Sequence, residues 1–489
     1  MSEMYLTNSL SRKKENFTAV NPPHVGMYSC GPTVYQFVSI GNFRTYLLTD
    51  ILYRVLTFNG YQVDFIMNIT DVGHLTGDNL GNADIGEDRI EKAARSEGKT
   101  AWDVAKYYTD IFLSDYEKLN LTKPRLFVKA TDHIKEQIEL IKEIEDRGFA
   151  YKISDGIYFD TELFEKKSGK KYGELSTLDV IASGVRVEEN PEKKNPRDFA
   201  LWKFSYPKGR NFNAFSDNTS HKRQMEWESP WGLGFPGWHI ECSAMSMKYL
   251  GESFDIHVGG EDLRSTHHPN EIAQAESVTG KQFVKYWIHG TFLKVDGKRM
   301  GKSLGNVFTL ADIENKGYDP LALRYLYLTS NYRDTLNFTW DSLKSAQTAL
   351  NKLREHMVSL LSLRQRTMLS MEKGDKVDIY NKKFLEAIND DMDMPKAIAI
   401  LWEVIKSNIP SEDKYDLAIN FDEVLGLRFA EITNPKLQIT KEVNKLIETR
   451  EKLRSENKFE EADKIRKDLE KEGFYLIDSA NGPVIRKNN

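Results

Sequence analysis

The stretch from Val25 to Met67 constrains the fold more than any other part of this chain. Val25 to Cys30 is a short apolar run that stops at Gly31-Pro32, as a strand entering a turn does. From Gly41 to Asn59 the residues Leu47, Leu48, Ile51, Leu52, Val55 and Leu56 recur at helical spacing on one side, and Gly60 ends the pattern. Tyr61 to Met67 alternates loosely and reads as the next strand. A strand, a helix and a strand in this order predict the opening of a doubly wound α/β sheet. Ligands of such sheets collect beyond the carboxyl ends of the strands, which puts Cys30 and Ser39 at the mouth of a site.

The rest of the chain divides around that unit. At 489 residues it has room for several domains, each with its own core. Residues 1–121 are expected to form the first half of the sheet domain. Residues 122–235 read as an insertion: one amphipathic helix (Ile134 to Arg147) precedes short strands and turn-rich segments such as Glu189 to Arg197. Strand character returns at Phe254 to Val258 and Tyr286 to Gly290, so 236–320 completes the sheet. Residues 321–435 carry helical patterns and suggest a bundle. In 436–489 two charge-rich helices meet near Asn457 as a small αα-hairpin, where the balanced charge is most simply a salt-bridged surface.

Composition excludes several classes. Hydrophobic residues make up 40% and charged residues 29%, as in globular proteins, and no apolar run approaches the length of a membrane span. The polar N-terminus lacks a signal-peptide core. Two cysteines far apart in sequence give no disulfide scaffold, so a reduced, cytoplasmic setting is expected. A net charge of -5 argues against indiscriminate nucleic-acid binding, though not against a shaped site with local basic patches.

Asp296-Gly297-Lys298-Arg299-Met300-Gly301-Lys302-Ser303-Leu304-Gly305-Asn306 places three cations within five residues, bracketed by glycines. Alone, such a loop is most simply solvated surface. Paired with the glycine-bearing strand-to-helix turn at Cys30 to Asn42, it suits a polyphosphate whose charge moves during reaction.

Cys30, Cys242, His267 and Glu271 can jointly bind a metal ion, as can His239, His257 or His268 in other combinations; spacing alone does not choose. A buried inert cysteine is the plainer reading of each thiol. Pro269 lies between His267 and Glu271, and proline pushes the residue before it out of helical geometry. His267 is therefore expected just ahead of the helix that presents Glu271.

Cys30-Gly31-Pro32-Thr33-Val34-Tyr35, Ser39-Ile40-Gly41-Asn42, Asn68-Ile69-Thr70-Asp71, Gly237-Trp238-His239-Ile240-Glu241-Cys242-Ser243-Ala244-Met245, Gly259-Gly260-Glu261-Asp262, His267-His268-Pro269-Asn270-Glu271 and Arg299-Met300-Gly301-Lys302-Ser303 stand in the order found in cysteinyl-tRNA synthetases. The chain resembles a bacterial-type class I enzyme of that family over nearly its whole length. The resemblance implies a class I Rossmann-type catalytic domain interrupted by an inserted domain, then an α-helical bundle and a small C-terminal anticodon-binding domain. It implies a cysteine–tRNA ligase: L-cysteine and ATP give cysteinyl-adenylate, and the amino acid passes to the terminal adenosine of tRNA(Cys). One Zn²⁺ on Cys30, Cys242, His267 and Glu271 would select the substrate thiolate, and Mg²⁺ would accompany ATP. By the same resemblance Ser39, Asn42 and Lys302 are catalytic, and Gly41, Gly259, Gly260, Asp262, Arg299, Lys302 and Ser303 bind ATP. Trp238 lines the amino-acid pocket, and Arg454, Asp463 and Asp478 face the anticodon. A monomer without membrane contact is expected.

Some positions depart from the family. Ser39 replaces the usual first histidine of its block and cannot carry positive charge, which predicts slower adenylate formation or compensation by another donor. Asn42 still donates. Arg299 keeps charge and adds bidentate reach, while Gly301 loosens the loop. The family's late tryptophan is missing, which removes a stacking surface for a splayed base. Two other functions compete: a paralogue joining cysteine to an amino sugar, which would have no use for the C-terminal hairpin, and a tRNA-binding protein that has lost catalysis, which only Ser39 favours.

Overall fold

In the computed structural model, the described residues are 3–73, 75, 87–176, 190–206, 222–301, 304–362, 371–432, 441–456, 458–471, 474–477 and 484–487. The chain forms two compact units, Met1–Asn315 with Tyr332–Phe338, and Lys316–Asn331 with Thr339–Asn489.

The first unit opens with an antiparallel pair, β1 (Tyr5–Asn8) and β2 (Lys13–Asn16). Its central sheet uses β3 (His24–Ser29), β4 (Gln62–Ile69), β5 (Leu126–Lys129), β10 (Phe254–Gly260) and β11 (Val284–Gly290), in spatial order β11-β10-β3-β4-β5 with every pairing parallel. Both faces are covered, so β10 is buried along its whole length. Helix α1 (Ile40–Phe58) joins β3 to β4, while α2 (Arg89–Glu97) and α3 (Ala101–Lys118) precede β5. The order reverses between β3 and β10, where ligands of open α/β sheets bind.

Strand β5 falls in the stretch expected as an insertion, yet it is a full member of the central sheet. Its four residues are too short to show a periodicity, and only pairing with β4 identifies it. The separate antiparallel sheet is made of β6 (Ala150–Ile153), β7 (Gly156–Phe159), β8 (Phe199–Phe204) and β9 (Gly234–Pro236), with α4 (Ile134–Asp146) and α5 (Thr161–Ser168) around it. Ile141, Ile144, Phe159, Phe164 and Trp202 form its core. The chain then returns through α6 (Trp238–Leu250) to β10, and through α7 (His267–Thr279) to β11.

A small sheet follows, β13-β12-β14, from β12 (Leu293–Val295), β13 (Lys298–Arg299) and β14 (Leu336–Phe338). Strand β14 interrupts the all-helical pattern expected after Pro320, because it pairs with β12 across a gap in sequence that local spacing cannot reveal. Helix α8 (Leu310–Asn315) ends the main segment of this unit. Arg44 of α1 is buried and donates to the carbonyls of Thr291, Phe292 and Asp334 at 3.0, 3.0 and 2.5 Å, fixing this region to the helix that starts at the site.

The second unit is helical, from α9 (Pro320–Leu328) and α10 (Trp340–Ser362) through α11 (Met371–Asn389), α12 (Met394–Lys406), α13 (Ser411–Leu425) and α14 (Phe429–Ile432). Its last part is the hairpin α15 (Lys441–Ser455) and α16 (Phe459–Lys471), followed by β15 (Phe474–Ile477) and β16 (Val484–Lys487), an antiparallel pair that helical spacing did not foretell. Val443, Ile447, Leu469 and Phe474 bury its small core. Among the described residues no helix is long and apolar enough to cross a membrane.

Candidate metal centre and nucleotide turn

Three elements converge at the switch point. Cys30 follows the last residue of β3, Cys242 lies in α6, and α7 supplies both His267 and Glu271. One ligand atom from each of these four side chains lies within 4.8 Å of every other, and all four residues are buried. A second set, Cys30, His257, His268 and Glu271, meets the same criterion and shares two members with the first.

Helix α7 begins at His267 itself, with Thr266 as its cap residue, so His267 is not ahead of the helix as expected. Pro269 is the third residue of the first turn, where the backbone N–H would have no intrahelical partner anyway. His267 and Glu271 therefore share a helix face, and His267 Nε2 lies 3.1 Å from Glu271 Oε1.

Outer groups hold these side chains in place. His239 Nδ1 is 2.9 Å from His267 Nδ1, and His257 Nε2 is 2.9 Å from Glu271 Oε2. Cys30 Sγ lies 3.4 Å from His268 Nε2; His268 Nδ1 meets His289 Nε2 at 2.7 Å, and His289 Nδ1 meets Ser9 Oγ at 2.8 Å. His257 stacks on Trp287 at 4.7 Å, and Trp238 covers His267 with ring centres 4.4 Å apart.

The four side chains are buried and shift one another's protonation. Burial pushes the Cys30 thiol well up, helped by the neighbouring Cys242 sulfur. Burial also pushes the Cys242 thiol up, but the hydrogen bond from Cys30 and the adjacent His267 outweigh it and bring it down to about 6. Burial works against protonation of His267, yet Glu271 and Cys242 raise it to about 10. Burial raises Glu271, and the imidazoles of His257 and His267 more than reverse that. Glu271 Oε1 accepts no well-directed hydrogen bond, its nearest polar neighbour being His267 Nε2 at 3.1 Å. Two sulfurs, one imidazole and one carboxylate oxygen are the donor set of a tetrahedral site for a soft divalent metal, so the residues fit such an ion.

The Gly259-Gly260 turn adjoins this cluster. A Cβ on Gly259 would stand 2.5 Å from His268 Cε1, and one on Gly260 would stand 3.6 Å from Thr45 Oγ1 of α1. The end of β10 thus fills the space between the cluster and α1, and Asp262 follows in the next turn. Ser39 caps α1: its Oγ accepts from the Asn42 amide at 3.3 Å and donates to Asn42 Oδ1 at 2.6 Å. The cationic loop comes to the same place. A Cβ on Gly41 would lie 3.3 Å from Met300 Sδ, Ser39 bridges to Thr309, and Ile40 N donates to Phe308 O at 2.8 Å.

Arg299 is exposed at the end of β13. Asn306 ties the two legs of its loop, donating to Arg299 O at 3.0 Å and accepting from the Gly301 amide at 2.9 Å. Lys302 and Ser303 lie outside the described residues, as does Asp478. Arg454 stands in the last turn of α15 and Asp463 on the exposed side of α16, both away from the central sheet in sequence and in unit. Sequence reading missed His289, Asn306 and Tyr172, whose hydroxyl donates to Asn270 Oδ1 within α7. None carries a local signal, since each acts through a partner distant in sequence.

Residues 16–348 match the family described as tRNA synthetases class I (C) catalytic domain. Cysteine–tRNA ligase 1 of Burkholderia lata is 44% identical over 481 residues, covering 98% of this chain and 95% of that protein. The cysteine–tRNA ligase of Treponema denticola is 39% identical over 508 residues, covering 99% of each, and that of Zymomonas mobilis is 39% identical over 512 residues, covering 96% and 95%. Among solved structures, Mycobacterium tuberculosis methionyl-tRNA synthetase in complex with methionyl-adenylate aligns with a TM-score of 0.56 at 13% identity, over 84% of this chain and 90% of that one, a likeness of fold alone. A parallel sheet with its switch point, the two signature turns meeting there, and relatives matched end to end agree: this chain belongs to the cysteine–tRNA ligase family of class I aminoacyl-tRNA synthetases.

Proposed function

We propose that this chain activates L-cysteine with ATP to cysteinyl-adenylate and transfers the cysteine to the 3′-terminal adenosine of tRNA(Cys), acting as a cytoplasmic monomer. The observation that carries this reading is the convergence of Cys30, Cys242, His267 and Glu271 on one point at the switch of the sheet. Those four residues would hold Zn²⁺. The set with two sulfurs is preferred over the one with His257 and His268, because thiolates favour zinc and the two imidazoles are packed against Trp287. Zinc held there would favour a substrate thiol, ordinarily of pKa about 8.5, in its deprotonated form, a preference the hydroxyl of serine does not share. Trp238 closes one side of the amino-acid pocket.

Activation needs a carboxylate and an α-phosphate held in line, so the protein contributes position and charge. Gly41 at the N-terminus of α1 lets phosphate approach backbone donors. Gly259 and Gly260 make room for the nucleoside, and the Asp262 carboxylate accepts from a ribose hydroxyl. Arg299, Lys302 and Ser303 grip the phosphates, with Mg²⁺ accompanying ATP, while Ser39 and Asn42 donate from the capped turn. Residues 436–489, with Arg454, Asp463 and Asp478, read the anticodon. Relatives named as cysteine–tRNA ligases match the chain through this terminal region, which an amino-sugar ligase would not need.

The deciding experiment is tRNA charging with radiolabelled cysteine and serine before and after zinc removal. Charging with cysteine alone, lost on demetallation and restored by zinc, is expected. Cysteine charging that survives complete demetallation would reject metal recognition of the thiol.

A further inference from the structure

Between Cys30 and Ser39 the chain runs along the rim of the site, and its middle carries an aromatic shelf that the active-site reading does not use. Phe37 is 44% exposed and Tyr107, on α3, is 44% exposed. Phe37 meets Tyr108 edge-on at 5.2 Å and Tyr107 at 6.4 Å, and Tyr107 meets Tyr108 at 5.1 Å. Edge-to-face packing of this kind does not cover both faces of a ring, and Lys99 lies over one face of Tyr107 only. Lys99 Nζ sits 4.6 Å from the Tyr107 ring centre, and Arg89 donates to the Tyr35 hydroxyl at 3.0 Å on the same rim.

The chemistry of the shelf narrows its occupant. Its two lysines are matched: Lys99 pairs with Glu97 at 2.9 Å and Lys106 with Asp110 at 2.6 Å. The surface therefore offers flat rings rather than an electric field. Two aromatic side chains, each of roughly 150–250 Å² and less than half exposed, present far less than the roughly 800 Å² per partner of a stable protein interface. Unstacked nucleobases can lie on such rings, because every base has a π-face. Position argues the same way, since Phe37 precedes the α1 cap Ser39 by two residues and α1 begins where the phosphates are placed.

We infer that Phe37, Tyr107 and Tyr108 form a stacking shelf for the unpaired 3′ nucleotides of the tRNA as they approach the adenylate. This rests on the cysteine–tRNA ligase reading above. Tyr107 supplies the exposed face, Phe37 the edge nearest the site, and Tyr108 props both.

The test compares a tRNA(Cys) transcript with the same transcript lacking its unpaired 3′ nucleotides, on Tyr107→Ala, Tyr107→Phe and Phe37→Ala. Cysteine-dependent ATP–pyrophosphate exchange, which needs no tRNA, reports that each variant is folded and active. Tyr107→Ala is expected to weaken binding of the intact transcript about tenfold and raise its KM in charging to match. Exchange and binding of the truncated transcript stay at wild-type values, and Tyr107→Phe behaves as wild type. Phe37→Ala shows the same selectivity for the intact 3′ end. Equal loss with both transcripts, or no loss with either, overturns the shelf. So does a change in sedimentation of Tyr107→Ala, which would mark a protein interface. A wild-type protein that fails to exchange pyrophosphate with cysteine removes the enzymatic reading itself, and the shelf with it.

Discussion

His257 on β10 presents its Nε2 2.9 Å from Glu271 Oε2, both side chains fully buried, so one carboxylate oxygen is anchored while the other faces the cluster. An outer hydrogen bond of this kind orients a metal ligand, and its loss ordinarily costs about 10–100-fold in metal affinity. His257→Ala should therefore raise the dissociation constant for zinc by that factor in a chelator competition, with the four ligands intact. Unchanged zinc affinity would show that α7 alone positions Glu271.

Cys242→Ser removes a ligand rather than an outer partner. Zinc content is expected to fall from one per chain to well below half on dialysis, and the exchange rate with cysteine to fall by more than about a hundredfold, beyond the range of an outer-partner loss. Elemental analysis and exchange kinetics on one preparation check both. Retained zinc with retained activity would move the metal to the alternative set of Cys30, His257, His268 and Glu271.

Ser39 shapes the start of α1 in a way that a histidine would not. Its hydroxyl caps α1 through Asn42, and a cap of this kind is worth about 1 kcal/mol. A histidine in its place would add a cationic donor at the phosphates while giving up that cap. Ser39→His is expected to raise the ATP–pyrophosphate exchange rate and lower Tm by a few degrees, whereas Ser39→Ala lowers Tm and leaves the exchange rate no higher. An exchange rate unmoved by Ser39→His would mean that another donor already does the histidine's work.

What could be read from sequence follows a physical divide. Strand β3, helix α1 and strand β4 were legible because each buries a patterned face within a short stretch of chain. Strands β5, β14, β15 and β16 were not, since three or four residues hold too few periods to register and only their partners reveal them. In the site, the cysteines, His267 and Glu271 could be named as ligands among several combinations, but their meeting depends on α6 and α7 packing side by side. Helix α7 starts at His267 rather than beyond it because a first turn has no hydrogen bond there for Pro269 to break. His289 and Asn306 were invisible because their roles lie in contacts with His268 and with the backbone of Arg299 and Gly301.

Asp115 on α3 gives a pH signature outside the site. It is buried, and it shares Lys118 with Glu314: the lysine lies 3.7 Å from Asp115 and 2.7 Å from Glu314. Burial first, and then the Glu314 carboxylate, raise Asp115 from 3.8 to about 6, against the pull of Lys118. The folded chain thus holds this proton up to about pH 6, whereas the unfolded chain releases it near pH 4. Between those values the folded state binds more protons, so stability falls as pH rises through the window and the loss is complete above it. Asp115→Asn cannot ionise and should therefore be more stable than wild type at pH 8, by about 1 kcal/mol once solvent access is allowed for, and no more stable at pH 4. Urea denaturation at the two pH values measures this directly. A variant destabilised equally at both would show instead that the Lys118 pair outweighs the burial of the charge.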